Sequence, residues 1–331
     1  MMPSRLFEPA NVFDVFGVAA CVAVALLSIR LTDAQAPDPL ETLTVQGAVH
    51  LIAGAGGNIA VQTGPDGLVL VDSGAASSTA QVLSAIKRLS DQPIRYIINT
   101  SAHPDHVGGN ATVAAAGSAL AAGAFNSNGP GAMVVANEAV LTRMSAPTGQ
   151  VSPYPEAAWP AETFPKRKSL YLNGEGIQVL HQPAAHSDGD SIVFFRRSDV
   201  VVTGEIFDTT RFPVIDIDHG GSVKGELAAL NGLIDLVLPQ TPLAFREGGT
   251  LVVPGRGHIS DQADLVEYRD MVTIVRDVVQ SLMSRGMTRA QVVAASPAKG
   301  YERRFGATSG PWTTTMFVEA VYRSLEQEKK K

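Results

Sequence analysis

A single cysteine, Cys21, occurs in 331 residues, and it lies in an apolar stretch near the N-terminus. The body of the chain therefore has neither a disulfide nor a thiolate to offer a metal. Any bound ion must be held by His, Asp and Glu alone. Charge is sparse and balanced: 26 Lys and Arg against 32 Asp and Glu leave a formal net charge of −6, with no basic stripe. That excludes the electrostatic footprint of a nucleic-acid binder, and the Lys329–Lys331 tail reads as a solvated terminus. Aromatic residues are few, at 6%, but hydrophobic residues reach 45%, enough for a sizeable globular core. No internal repeat of solenoid period is present.

Apolar runs as long as a membrane span, about 20 residues, are also missing. The run Val15–Ile29 is shorter; it follows Arg5 and precedes Thr32-Asp33-Ala34-Gln35-Ala36. This is the pattern of a secretory signal peptide, with cleavage after Ala34. The expectation is an exported protein, periplasmic or extracellular. Residues 1–36 would form the signal peptide or an uncleaved N-terminal anchor, the only part to touch a membrane. Residues 37–331 would form the body, with a C-terminal helical extension from about residue 261.

Beyond that segment the chain alternates strand-like and helix-like stretches. Val49–Ile52, Ile59–Val61 and Leu68–Val71 are short apolar runs separated by glycine-rich and Pro-Asp-Gly turns, a β-meander. Ser77–Leu89 has helical periodicity, with Val82, Ala85, Ile86 and Leu89 on one face. Ile94–Ile98 and Met133–Ala136 read as further strands, and Asn110–Ala116 and Glu138–Met144 as helices. The Pro-rich segment Ala146–Lys168 reads as a long loop, a lid or substrate wall. A second meander follows at Ser169–Leu172, Ile177–His181, Ile192–Arg196 and Val200–Thr203. Then come a helix at Gly225–Val237, a strand at Thr250–Val253, and helices at Asp264–Arg285, Thr288–Ala295 and Thr313–Gln327. Two halves, each strands then helices, predict an α/β fold of two stacked sheets with helices outside.

The densest chemistry lies just after Ile94–Ile98, in Asn99-Thr100-Ser101-Ala102-His103-Pro104-Asp105-His106-Val107-Gly108-Gly109. A strand that runs into a glycine-bearing polar turn delivers its loop to one end of a sheet. His103, Asp105 and His106 supply two imidazoles and a carboxylate within four residues, a ligand set suited to zinc and related divalent ions. The motif resembles the signature of the metallo-β-lactamase superfamily, His-x-His-x-Asp-His followed by Gly-Gly, with Ser101 in place of the first histidine. Ala185-His186-Ser187-Asp188-Gly189-Asp190 is similar to its second histidine motif, and Thr203-Gly204-Glu205 to its bridging Gly-Asp. Val253-Pro254-Gly255-Arg256-Gly257-His258 is similar to its Pro-Gly-His-Gly, with arginine in the histidine slot.

The resemblance implies a four-layer αβ/βα sandwich, a metal site along the sheet edges and a metal-dependent hydrolase acting on a small molecule. One ion position would use His103 and His186, with Ser101 where the family has histidine. The other would use Asp105, His106 and the residue at Arg256, with Glu205 between them. Arginine offers no lone pair near neutral pH. A guanidinium about 5 Å from a dication would be repelled by roughly 6–7 kcal/mol at an effective dielectric near 20. Two arrangements follow: Arg256 turns away while His258 swings in, or Arg256 takes the metal's place and pairs with Glu205 or Asp105. The expectation is one zinc ion rather than two, with Asp105 orienting the attacking water and Arg256 and Ser101 facing the substrate. The alternative is a degenerate, non-catalytic paralogue that serves as a binding or accessory protein. His50 and His181 read as structural residues, His219 as exposed, and Asp72 as a turn or capping residue able to reach the loop from behind.

Overall fold

The computed structural model describes residues 40–120, 130–146, 149–240 and 248–330. The chain divides into two units, Met1–Asp38 and Pro39–Lys331, and all that follows concerns the second. The expected signal segment, with Val15–Ile29 and Cys21, lies outside the described residues.

The first half is a sheet laid down in chain order. β1 (Glu41–Gln46), β2 (Val49–Ala55), β3 (Gly57–Gln62) and β4 (Leu68–Val71) form an antiparallel meander. Helix α1 (Thr79–Leu89) buries Val82, Ala85 and Ile86 and crosses to β5 (Ile94–Ile98), parallel to β4. Two short helices, α2 (Pro104–Val107) and α3 (Asn110–Ala115), precede β6 (Met133–Asn137). Helix α4 (Glu138–Ser145) leads on to β7 (Glu162–Phe164). The sheet order is β1-β2-β3-β4-β5-β6-β7, with β4 to β7 parallel. Parallel strands end at a common edge, so the turn after β4 and the loop after β5 emerge side by side.

The segment expected as a long loop at Ala146–Lys168 is more ordered than that. It contains a single 3-10 turn at Glu156–Ala158, β7, and the start of β8 (Arg167–Leu172). β7 is three residues long with one buried side chain, Phe164, too short for a period-2 pattern to register.

The second sheet pairs β8, β9 (Glu175–His181), β10 (Ser191–Phe195) and β11 (Val200–Val202) antiparallel. After α5 (Val223–Leu236), β12 (Leu251–Val253) adds parallel to β11, giving the order β12-β11-β10-β9-β8. Side-chain alternation then assigns the layers. Val69, Val71 and Ile98 face Val179, Val193, Phe195 and Val202 between the sheets. Leu68, Leu70 and Ile97 point the other way, onto Val82, Ala85 and Ile86 of α1. Ile192, Val201 and Val252 cover the outer face of the second sheet beneath α5 and the C-terminal helices. Strands buried on both faces explain why Leu68–Val71 and Val200–Val202 read as continuous apolar runs. The fold is two mixed sheets flanked by helices, the αβ/βα sandwich that the sequence predicts.

Four helices close the chain: α6 (Gln262–Ser284), α7 (Arg289–Ala294), α8 (Glu302–Phe305) and α9 (Thr314–Glu328). Asp261 starts α6 with a reciprocal capping box to Asp264, and Thr288 starts α7 in the same way with Gln291. Among the described residues no helix is long and apolar enough to cross a membrane.

Candidate metal centre

The turn after β4 places Asp72 at φ 67°, a left-handed conformation that Asp tolerates better than most residues. There its Oδ1 accepts the Thr100 N–H (2.8 Å), and its Oδ2 accepts the Thr100 hydroxyl (2.7 Å) and His106 Nδ1 (2.6 Å). His106 is fully buried, and its Nε2 lies 2.7 Å from Glu205 Oε1. Ionised carboxylates only accept, so both ring nitrogens donate and His106 is an imidazolium. Burial alone would lower its pKa, but Asp72 and Glu205 reverse that and raise it to about 10. Burial likewise works to raise Glu205, and the hydrogen bond and charge of His106 hold it well below the usual carboxylate range.

Glu205 receives two further cations. Arg256 Nη1 donates to its Oε1 at 2.8 Å, and Arg211 Nη2 to its Oε2 at 3.1 Å. Arg256 also ion-pairs with Asp105, and Arg211 Nε with Asp208 Oδ2 at 2.8 Å. Of the two arrangements open to the sequence, the structure adopts the second: Arg256 faces inward between Asp105 and Glu205. His258, a ligand candidate, is exposed and joins neither potential metal-binding group among the described residues. The cause is local. A bridge between Asp208 and Arg256 fixes the Arg256 backbone, and Gly257 at φ 96° breaks the alternation that would put residue 258 on the same face. A Cβ at Gly257 would lie 1.8 Å from Thr209 Oγ1, so only glycine fits. The backbone N–H of His258 is held by Thr209 Oγ1 (3.2 Å) and its ring points to solvent.

Opposite this cluster, His103 and His186 meet edge to face, with Nε2 atoms 3.1 Å apart and planes at 89°. His186 Nδ1 lies 2.7 Å from the Val214 carbonyl, which can only accept. That contact puts a proton on Nδ1 and turns Nε2 toward His103. Burial, with His186 alongside, pushes His103 down to about 4, so it is neutral near pH 7. Ser101 is buried, but its hydroxyl accepts the His103 N–H (3.3 Å) and stays within the loop. His50 contacts the Thr44 and Thr63 hydroxyls, His181 the Asp188 carbonyl, and exposed His219 pairs with Asp216.

Residues 53–239, more than half of the chain, match the Metallo-beta-lactamase superfamily. The chain belongs to that superfamily. A linear primary-alkylsulfatase from a Pseudomonas species is 21% identical over 255 residues, 69% of this chain and 48% of the relative. The chain thus spans about half the length of that curated relative. Among solved structures, the stereoselective inverting sec-alkylsulfatase Pisa1 from Pseudomonas sp. superposes with a TM-score of 0.57 at 13% identity, covering 86% of this chain and 50% of that one. A metallo-beta-lactamase from Pontibacter korlensis gives 0.53 at 19% identity, covering 71% of this chain and 99% of that one. At such identities the structural likeness shows the shared fold.

Superfamily membership implies metal, and among the described residues two groups of side chains could hold an ion: His103, His186 and Glu205, and Asp105, His106 and Glu205. They fit unequally. In the second, His106 has no free lone pair and Arg256 pairs with both carboxylates, so a dication does not fit. In the first, two imidazole nitrogens sharing a tetrahedral zinc would lie about 3.3 Å apart, close to the 3.1 Å present. Glu205 Oε1 already takes two donors, whereas Oε2 takes only Arg211, leaving it one acceptor site. His103, His186 and Glu205 therefore suit one ion. Sequence reasoning missed Arg211 and Asp208 altogether. Their signal was a pair of opposite charges in Asp208-Thr209-Thr210-Arg211, flanked by the apolar residues Ile206-Phe207 and Phe212-Pro213-Val214-Ile215.

Proposed function

We propose that this chain is an exported hydrolase of the metallo-β-lactamase superfamily that works with one divalent ion, zinc, on an ester, lactam or related bond. The observation that carries the reading is the pairing of two imidazole Nε2 atoms at 3.1 Å, with Arg256 bound to Glu205 where a second ion would need its ligand. His103, His186 and Glu205 would hold the ion. When bound, it supplies Lewis-acid polarisation of the scissile carbonyl or phosphoryl oxygen and brings the pKa of water toward neutrality.

The chain's own groups do the rest. The Val214 carbonyl fixes the His186 tautomer, so its Nε2 stays available. Asp105, 20% exposed at the mouth, is free on its solvent side to accept a hydrogen bond from the attacking water and orient it. Arg256, 21% exposed, presents its outer N–H edge to negative charge that develops on the substrate oxygen. Relatives named as alkylsulfatases make sulfate esters one class to assay beside carboxylic esters and lactams.

Elemental analysis of protein purified without added zinc, with assays of p-nitrophenyl esters and a chromogenic lactam before and after chelation, tests this. The expected result is one zinc per chain and turnover that chelation abolishes and zinc restores. Two ions per chain would overturn the mononuclear reading. No retained ion and no turnover would favour the non-catalytic binding protein, whose supporting observation is the ion pairing of Arg256 with Asp105 and Glu205. Export is tested by intact-mass measurement of protein from the native envelope fraction; a chain starting at Met1 or Met2 would overturn cleavage.

A further inference from the structure

A cleft of about 360 Å³ opens beside His103. Ile215 and Ile217, on the segment that follows Arg211, form one wall, and Trp312, Met316 and Ala320 form the other. The second wall belongs to the C-terminal extension, beyond residues 53–239 that match the superfamily. It is held rigidly. Phe317 stacks on Phe212 with ring centres 4.7 Å apart and planes at 8°, and Phe305 lies 6.0 Å from Phe212. Those rings fix the start of α9 against the segment that carries Arg211. Within this packed junction Met316 remains 40% exposed, and the buried indole N–H of Trp312 has no acceptor among the described residues. Two large apolar side chains thus border an open cleft although a packed core lies one residue away.

Charge decides what the cleft accepts. Its lining carries three carboxylates, Asp216, Asp218 and Glu319, against two guanidinium groups. Arg323 is paired to Asp218 at 2.5 Å and Arg289 lies 3.7 Å from Glu319, while Asp216 pairs with His219 at 2.6 Å. Both guanidinium groups are already neutralised, and the carboxylates outnumber them. An anionic group would enter against that surplus, whereas an uncharged apolar group loses nothing.

We propose that the C-terminal extension is the specificity element of the site: Trp312 and Met316 seat an uncharged, apolar acyl or aryl group of the substrate beside His103. This rests on the hydrolase reading only in that the seated group belongs to the molecule cleaved there.

The test separates binding from turnover. Butyranilide, an uncharged amide not readily hydrolysed, and the phenylacetate anion are titrated calorimetrically, with chelator present so that no bound ion attracts the carboxylate, into the parent, Trp312→Ala, Trp312→Phe and Met316→Ala. Butyranilide should bind the parent, weaken about tenfold in Trp312→Ala and about threefold in Met316→Ala, and be largely retained in Trp312→Phe. Phenylacetate should bind the parent more weakly than butyranilide. Equal butyranilide affinity in parent and all variants, no binding to the parent, or preference for phenylacetate would overturn the assignment. Should Trp312→Ala fail to fold, Trp312→Phe and Met316→Ala still decide it. In parallel, the ratio of p-nitrophenyl butyrate to acetate turnover should fall in Met316→Ala. Turnover indifferent to both side chains overturns the cleft assignment alone. The expected binding pattern with no turnover in any protein supports the cleft assignment and overturns the hydrolase reading.

Discussion

Replacing Arg256 by histidine exchanges one cation source for another, and the structure sets the size of both effects. Arg256 is 21% exposed and pairs with Glu205, which is 1% exposed, and with Asp105, which is 20% exposed. Removing one partner of a buried ion pair costs about 3–5 kcal/mol. Here Glu205 keeps His106 and Arg211 and Asp105 can turn to water, so the loss should fall to about 2–3 kcal/mol, or about 3–5 °C in Tm. With zinc the sign reverses. The guanidinium's repulsion of a second dication, roughly 6–7 kcal/mol at about 5 Å, is gone, and an imidazole donor stands in its place. Zinc at a hundredfold excess over its Kd would stabilise by about 2.7 kcal/mol, enough to bring Arg256→His back to the parent Tm. Differential scanning calorimetry with chelator and with zinc, together with elemental analysis, reads both arms. If the chelated variant melts within a degree of the parent and holds no additional zinc, Arg256 neither secures these carboxylates nor blocks an ion, and the charge argument fails.

His186→Ala should reduce zinc retention about 100-fold or more while far-UV circular dichroism stays unchanged, because its other contact is a single hydrogen bond to Val214. Asp72→Asn, which keeps the shape but not the charge beside His106, should cost about 1–3 kcal/mol in urea denaturation; Asp72→Ala should cost about 1 kcal/mol more because alanine is strained at φ 67°. Glu226 is fully buried on α5 with neither carboxyl oxygen hydrogen-bonded among the described residues, and burial raises its pKa well above the ordinary value. The unfolded chain then releases this proton at lower pH than the native protein does, so Glu226 costs stability as pH rises above about 4.5. The Tm of Glu226→Gln should pull ahead of the parent's between pH 4.5 and 8 in chelator; a constant difference would refute the assignment.

Much of the fold could be read from periodicity because most elements are buried on one or two regular faces. Ile94–Ile98 is a strand at the expected bounds, and the helices near Asn110, Glu138, Asp264 and Thr313 begin within two residues of expectation. β7 escaped because three residues cannot display a period. The site was legible where chemistry is dense in sequence, as at His103, Asp105 and His106. Its assembly was not. Nothing local says that Arg256 faces inward; that depends on the Asp208 bridge and on Gly257, both fixed by packing against Thr209. Asp72 looked like a turn residue and is one, but its left-handed backbone also aims the carboxylate at His106. Arg211 pairs across a short stretch with a glutamate whose partners come from three separate loops.

Those partners explain how the altered positions fit together. Four carboxylates, Asp72, Asp105, Glu205 and Asp208, converge on one small volume, with Asp72, Glu205 and Asp208 each nearly inaccessible to water. Left without cations, such a cluster would not remain ionised and buried. In a dinuclear site, metal supplies that charge. Here Arg256, Arg211 and a doubly protonated His106 supply it from the chain itself, and the added methylene of Glu205 relative to aspartate extends its carboxylate to the point where all three donors meet. Glu205 and Arg256 are thus coupled through one ion-paired cluster. The result is a cluster whose charge is balanced from within the chain, sharing Glu205 with the paired Nε2 atoms of His103 and His186.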